Sequence, residues 1–306
     1  QYQYLPRVIT CAQNDLVVMA CLLHGTACPT LGADDDIEYL VRRLRAKWPD
    51  VVIDFRGDSD FGVPVTFDVC ERMRLCYTFG LRMNPVLKEL SEALLTQAMQ
   101  QYEKTGQPQR LFTRFQYQAK SWPEPRWVVV KAEANAEGTN RRAVISNRPG
   151  AEILPQATYD EYAERGEGEN RNKELKCGLE ADRLSDHRYM ANLFRLYMHV
   201  QAMNLLVRVR RLVADPPPEK ATAELPQEAL GGRERQRFFN QRRERDPLGE
   251  GHACTWRTRL IKVAARVTET TRRIVIYLSS SWPFLDHYRS VTAKVLGLNV
   301  EDLSSA

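Results

Sequence analysis

A chain of 306 residues, 43% of them hydrophobic, is long enough for one large domain or two ordinary ones with a sizeable core. Its formal charge of +5, with Arg ahead of Lys, is mildly basic and points toward a polyanionic partner without identifying one. Seven cysteines with no Cys-x-x-Cys pair and no matched His spacing argue against a disulfide framework or a zinc ribbon, and no apolar run approaches the length of a membrane span.

The opening QYQYLPRVIT has no Met and no basic-then-apolar signal pattern, as expected of a cytoplasmic chain cut from something longer. Residues 4–10 and 16–23 are apolar, partly β-branched runs around Gln13-Asn14-Asp15, which predicts a β-hairpin. Residues 34–48 start with acidic side chains and then place Ile37, Leu40, Val41 and Leu44 on one side, the pattern of an amphipathic helix ended by Pro49. A short buried strand is predicted at 51–55, followed at once by Arg56-Gly57-Asp58-Ser59. A helix at 64–74, a strand at 75–79 and a helix at 85–102 complete a mixed α/β layer.

Residues 111–147 change character. Phe112, Phe115, Tyr117, Trp122 and the run Trp127-Val128-Val129-Val130 alternate with Arg and Lys, and two turn signals divide them, which predicts an inserted antiparallel β unit. Helices are expected at about 157–179 and at 185–213. The second would have Ser185 as N-cap and Met190, Leu193, Leu196, Tyr197, Val200 and Leu205 as its apolar stripe. Proline-rich residues 216–227 read as a linker. The stretch 232–245 carries six arginines, among them Arg233, Arg242, Arg243 and Arg245, interleaved with Phe238 and Phe239, which suits phosphate binding as well as it suits a solvated surface helix. Strands at 260–267 and 273–279 and a helix at 282–298 close the chain. In domain terms, 1–108 and 151–214 form the core around an insert at 109–150, and a linker at 215–228 leads to a basic region at 229–306.

The segment at 159–176, YDEYAERGEGENRNKELK, concentrates the chemistry. On one helix, Tyr162, Arg165, Glu169 and Lys176 fall at i, i+3, i+7 and i+14, inside a sector of roughly 60°. A solvated helix held by charge pairs would look similar. Gly166 and Gly168 weaken that alternative, because each costs about 1 kcal/mol in a helix interior and close approach of a backbone or ligand is the usual reason for keeping them. Asp58 ends a strand in a glycine-containing turn, where open α/β sheets gather ligands, although Asp in a turn is also ordinary punctuation. Asp58 and Glu169 could together hold Mg²⁺, which prefers oxygen ligands and supports phosphodiester chemistry. Arg165 and Lys176 could grip a flanking phosphate, and Tyr162 could hydrogen-bond another.

The spacing Tyr-x2-Arg-x3-Glu-x6-Lys, met by Tyr162, Arg165, Glu169 and Lys176, resembles the signature of bacterial insertion-sequence transposases with an Asp-Asp-Glu triad. Arg56-Gly57-Asp58-Ser59 resembles their second-Asp motif, and the text around 159–166 and 181–183 is similar to the insertion-sequence 1380-type subgroup. The resemblance implies an RNase H-like mixed sheet with helices on both faces, a β domain inserted between the second Asp and the Glu, Mg²⁺ or Mn²⁺ as cofactor, and cut-and-paste transposition. It implies double-stranded DNA as partner, both element ends and target, with a homodimer on paired ends in the cytoplasm at the nucleoid. Asp60 stands where the subgroup has Gly. The first Asp of the triad belongs on a strand preceding residues 4–10, for which the chain offers no candidate. Asp34, Asp35 and Asp36 open a helix instead, where they suit its dipole. The first strand is therefore expected to be missing, and residues 1–306 alone to be poorly folded and inactive. The alternative is a non-catalytic DNA-binding remnant of a transposase. Trp122 is a candidate base-stacking aromatic by this resemblance, against the reading of a β-unit core Trp.

Overall fold

The computed structural model describes residues 3–184, 186–213 and 253–297, which divide into two compact units. The first unit takes residues 1–7 and 22–169, and the second takes 8–21 and 170–306.

In the first unit, β1 (Tyr4–Thr10) and β2 (Val17–His24) pair as the predicted hairpin, whose open end belongs here and whose closed end belongs to the second unit. Helix α1 (Ala33–Lys47) follows, with Asp34, Asp35 and Asp36 in its first turn. The Arg7 guanidinium ties β1 to the start of α1, donating to the carbonyls of Pro29 and Leu31 at 2.9 and 2.8 Å and pairing with Asp36.

A five-stranded sheet in the order β3-β4-β7-β6-β5 forms the centre. Strand β3 (Asp54–Gly57) runs parallel to β4 (Cys76–Leu81). β7 (Gly138–Ser146) pairs antiparallel with β4, and β6 (Arg126–Asn135) and β5 (Gln109–Tyr117) continue the sheet as an antiparallel meander. The predicted β unit at 111–147 is thus hydrogen-bonded to β4 through β7, in one sheet with β3. Strand β3 starts three residues later than expected. Its partner begins only at Cys76, because Arg74 takes a positive φ of 53° and the Leu75 amide turns back to the Cys70 carbonyl, so Val51 and Val52 have no strand to pair with.

The run Val128-Val129-Val130 alternates between two cores, as period-2 geometry requires. Val128 and Val130 join Ile37 and Val41 of α1, Phe67 and Val69 of α2 (Pro64–Arg72), Tyr77 and Phe79. Val129 joins Val144, Ile153 and Tyr159 on the opposite face, under α5 (Pro155–Ala163). The predicted helix at 85–102 is two helices, α3 (Pro85–Leu90) and α4 (Glu92–Thr105). The two meet at Ser91, whose buried hydroxyl donates to the Leu87 carbonyl at 2.6 Å.

The second unit is organised on α7 (Tyr189–Val213). The predicted N-cap Ser185 lies outside the described residues, where Asp186 accepts from the Arg188 amide at 2.8 Å nearby. Leu196, Val200, Met203 and Val207 form the buried face, whereas Met190, Tyr197 and Leu205 of the predicted stripe are exposed. The helix has more apolar residues than one face holds, so periodicity leaves its roll open. Asn204 settles it by clasping both the amide and the carbonyl of Val17 at 2.8 and 2.9 Å. A short helix α8 (Ala253–Trp256) runs into a π-helical turn at Arg257–Ile261, so Leu260 is not the start of a strand. Strands β8 (Ala265–Glu269) and β9 (Ile274–Leu278) form a separate two-stranded sheet, and α9 (Leu285–Leu296) ends at Gly297 with φ 66°. No helix among the described residues is long and apolar enough to cross a membrane.

Candidate active site

Asp58 is the first residue beyond β3, in a turn where its Oδ1 accepts the Asp60 amide at 2.9 Å and its carbonyl accepts the Phe61 amide at 3.1 Å. Glycines let this turn lie flat on the neighbouring strand. A Cβ on Gly62 would sit 2.2 Å from the Gly80 carbonyl oxygen. A Cβ on Gly80, in β4, would sit 2.7 Å from the Tyr162 hydroxyl, 2.8 Å from the Ser59 amide nitrogen and 3.1 Å from the Asp58 carbonyl carbon. The bare backbone of Gly80 is therefore the point where the Asp58 turn and the signature helix meet. The sequence reading missed both glycines, although a glycine inside a strand run is a signal for close backbone approach. A cleft of about 250 Å³ opens beside the turn, lined among others by Thr30, Ser59, Asp60, Val63, Leu81 and Arg82.

The signature helix is held over the end of β3 by arginines. Arg56 of β3 donates to the Glu161 carbonyl at 2.5 Å and to the Glu164 carboxylate at 3.1 Å. Arg148 pairs with Asp54 of β3 and grips both oxygens of Glu161 at 2.7 and 2.8 Å. Lys131 lies 4.8 Å over the Tyr159 ring, whose hydroxyl burial pushes up to about 12. The two carboxylates that share Arg148 shift in opposite directions. Hydrogen bonds from Arg148 hold Glu161 below the usual carboxylate range, while burial raises Asp54 against the pull of the same guanidinium.

These shifts set a pH window. The depressed Glu161 contributes stability that is full above about pH 4.3 and is lost as pH falls through its lower folded value. The raised Asp54 contributes only when protonated, and that part is lost as pH rises through its folded value. Protection of the α5 amides, corrected for the intrinsic pH dependence of exchange, should therefore fall as pH drops below the ordinary glutamate range, and a Glu161→Gln variant should show no such step. An identical acid step in that variant would clear Arg148–Glu161 of the role.

The predicted continuous helix at 157–179 is broken, and with it the single stripe. The Arg165 amide tightens back to the Tyr162 carbonyl at 3.0 Å. Helix α6 (Gly166–Lys173) then starts, and Glu174–Gly178 forms a π-helical turn closed by the Leu179 amide on the Glu174 carbonyl at 3.3 Å. A Cβ on Gly166 would meet nothing within 4 Å, so no protein backbone explains that glycine. Despite the break, Tyr162, Arg165 and Glu169 stay linked. Arg165 lies 5.6 Å from the Tyr162 ring centroid and bridges Glu169 at 2.7 Å. Burial raises the Tyr162 hydroxyl above its ordinary pKa, with Arg165 opposing, so at neutral pH it is a donor. Lys176 falls in the second unit, exposed on the π-helical turn.

The other candidates separate. Trp122 is 7% exposed, packed edge-on against Phe67 and Tyr117 at 5.5 and 5.4 Å with Arg126 over its ring, so it is a core side chain that no base can reach in this conformation. Arg233, Arg242, Arg243 and Arg245 lie outside the described residues. Among the described residues no three His, Cys, Asp or Glu side chains converge as a metal site. The donors at hand, Asp58 and Glu169, are oxygen ligands of the kind Mg²⁺ takes, fitting in type and short in number, with Glu169 partnered by Arg165.

A mixed five-stranded sheet with helices on both faces is consistent with the RNase H-like fold of the Asp-Asp-Glu transposase class. The chain belongs to the family Transposase DDE domain group 1, whose model matches residues 1–225. Comparison with curated proteins finds no match. As a member of that family the chain is a transposase, of an enzyme class that cleaves and joins phosphodiester bonds.

Proposed function

We propose that the chain is the major part of a cut-and-paste transposase of the insertion-sequence 1380-like branch, acting on double-stranded DNA ends as a homodimer. The observation that carries this reading is the meeting of the Asp58 turn with Tyr162 at Gly80, which joins the strand-end carboxylate to the Tyr162–Arg165–Glu169 chain within one unit. Asp58 and Glu169 would hold Mg²⁺, which when bound supplies activation of the attacking oxygen and charge stabilisation on the leaving oxygen. Tyr162 donates a hydrogen bond to a phosphate oxygen from its protonated hydroxyl. Arg165 and Lys176 would bind phosphates flanking the scissile bond. Arg233, Arg242, Arg243 and Arg245 bind the DNA backbone.

On this reading a third carboxylate completes the set from a strand that precedes residues 4–10 in the chain and takes its place in the sheet beside β3. The sheet order supports this: β3 has β4 on one side and no strand on its other side among the described residues, and β1 pairs only with β2.

The test is Glu169→Gln in a protein carrying that additional strand. Cleavage of element-end DNA should fall by at least about a thousandfold while duplex affinity changes less than twofold, since the neutral amide binds the ion weakly and repels no phosphate. Near wild-type cleavage by this variant would remove Glu169 from the site. If the unsubstituted protein also fails to cleave yet binds the ends, the chain is a DNA-binding remnant.

A further inference from the structure

The β8–β9 ribbon is the least accounted-for structure in the second unit. Five residues on each strand pair in the register Ala265↔Leu278 to Glu269↔Ile274, and the chain reverses through Thr270 and Arg273, the Thr270 amide and hydroxyl both donating to the Arg273 carbonyl. A two-stranded ribbon is marginal by itself in water, so a surface partner is expected to cover it. Every residue of β8 is exposed.

Charge decides what kind of partner fits. Residues 253–297 hold eight Lys or Arg side chains against only Glu269 and Asp286 on the acidic side, a net +6 compared with +5 for the whole chain. The cationic side chains are also differently placed from those of the first unit. There, Arg7, Arg56, Arg126, Arg141 and Arg148 each engage a carboxylate. On the ribbon, no carboxylate bridges Arg266, Arg272 or Arg273 among the described residues, and all three are exposed. The register puts Arg266 and Thr268 on the same face as Tyr277 and Val275. Arg266 stacks 4.7 Å from the Tyr277 ring centroid, which holds its guanidinium at the surface, and Tyr277 is itself 47% exposed. The reversal adds Arg272 and Arg273 at the tip.

We propose that this ribbon is a duplex-DNA contact. It lies along the major groove with the Arg266–Tyr277 face toward the groove floor, and Arg272 and Arg273 at the tip reach the phosphates that border the groove. The dimensions agree, since two strands about 4.8 Å apart and roughly 17 Å long enter a groove about 12 Å wide and 8.5 Å deep. The proposal rests on the transposase reading and adds a DNA-binding element to it, separate from the strand-end carboxylate and from the arginine-rich segment at 233–245. The opposite face, with Val267, Ile274 and Ile276 exposed at 59, 65 and 61%, is apolar and faces away from the groove.

The experiment uses the full chain and a random-sequence DNA duplex, titrated over a range of salt concentrations. Wild type is compared with the triple variant Arg266→Gln, Arg272→Gln, Arg273→Gln and with Ile276→Lys, all exposed positions that leave the cores untouched. The triple variant should bind at least about tenfold more weakly, and its log–log salt slope should fall by about 2 to 3, near 0.9 for each phosphate no longer neutralised. Ile276→Lys should retain wild-type affinity. Unchanged affinity and slope in the triple variant, with wild type binding normally, would overturn the ribbon while leaving the transposase reading in place. So would a loss of self-association in Ile276→Lys with unaltered DNA binding by the triple variant, which would make the ribbon an interface between copies. Failure of the wild-type chain to bind duplex DNA at all would count against both readings together.

Discussion

In a protein carrying the additional strand, Gly80→Ala is expected to lower DNA cleavage by about a hundredfold and the melting temperature by several degrees. The added methyl carbon would stand 2.7 Å from the Tyr162 oxygen, 2.8 Å from the Ser59 nitrogen and 3.1 Å from the Asp58 carbonyl carbon. A tyrosine can rotate aside, but Ser59 and Asp58 present backbone atoms, which move only if the whole turn moves. Gly62 prevents the turn from sliding along the strand, since it already approaches the Gly80 carbonyl too closely for any side chain. The turn must therefore lift off β4, carrying Asp58 with it. Overpacking of this kind costs about 1–3 kcal/mol, and each kcal/mol lowers the melting temperature by about 2–4 °C in a domain of this size. The functional loss is larger, because a displacement near 1 Å in a positioned catalytic group costs about a hundredfold in rate. Gly166→Ala is the matched control. Its methyl carbon meets nothing within 4 Å and its backbone is helical, so stability should rise by about 0.5–1 kcal/mol with no loss of folded structure. Thermal melts and a cleavage assay of the two variants side by side decide the matter. Equal behaviour would mean that the Asp58 turn does not depend on its seat on Gly80.

The contrast between those two glycines marks how far the sequence could be read. Asp58 at a strand end, the strand and helix order up to residue 105, and the β unit at 111–147 were legible, because period-2 and period-3.6 patterns there are driven by burial on definite faces. Gly166 drew notice as an unexplained glycine in a polar helix, yet the close approach occurs at Gly80 and Gly62, in a strand and a turn where glycine is unremarkable until its neighbours in space are known. Trp122 had the composition of a stacking residue beside Lys120 and Arg126, and only packing against Phe67 and Tyr117 shows that it is core. The register of Tyr162, Arg165 and Glu169 on one ideal helix was an illusion of uniform 100° steps. The chain breaks at Arg165, and the side chains remain together through a cation–π contact and an ion pair instead. Helix α7 illustrates a different limit. Its apolar residues surround it, so the buried face depends on a polar clasp between Asn204 and Val17, nearly two hundred residues apart.

Glu174→Ala should be the most destabilising single change in the second unit. The Glu174 side chain is only 1% exposed, and its two oxygens accept from Arg171 at 2.8 Å, from Arg210 at 2.8 and 3.4 Å, and from the Ala253 amide at 2.7 Å. One carboxylate thus joins the π-helical turn that carries Lys176 to α7 and to the start of α8. π-Helical turns are rare and poorly bonded internally, so this one depends on such external ties. Removing one partner of a buried ionic cluster costs about 3–5 kcal/mol, because the buried guanidiniums of Arg171 and Arg210 lose the carboxylate they share. At about 2–4 °C per kcal/mol, the melting temperature should drop by roughly 10 °C. Glu174→Gln keeps the shape and one acceptor oxygen and should fall between the variant and wild type. A general loss of stability would affect many amides equally, so hydrogen exchange supplies the sharper readout. The Ala253 amide and the turn at Arg257–Ile261 should lose protection before the core around Met203 and Val207 does. If protection falls uniformly, or if Glu174→Ala melts with wild type, the carboxylate does not hold α8 and the π-helical turn together.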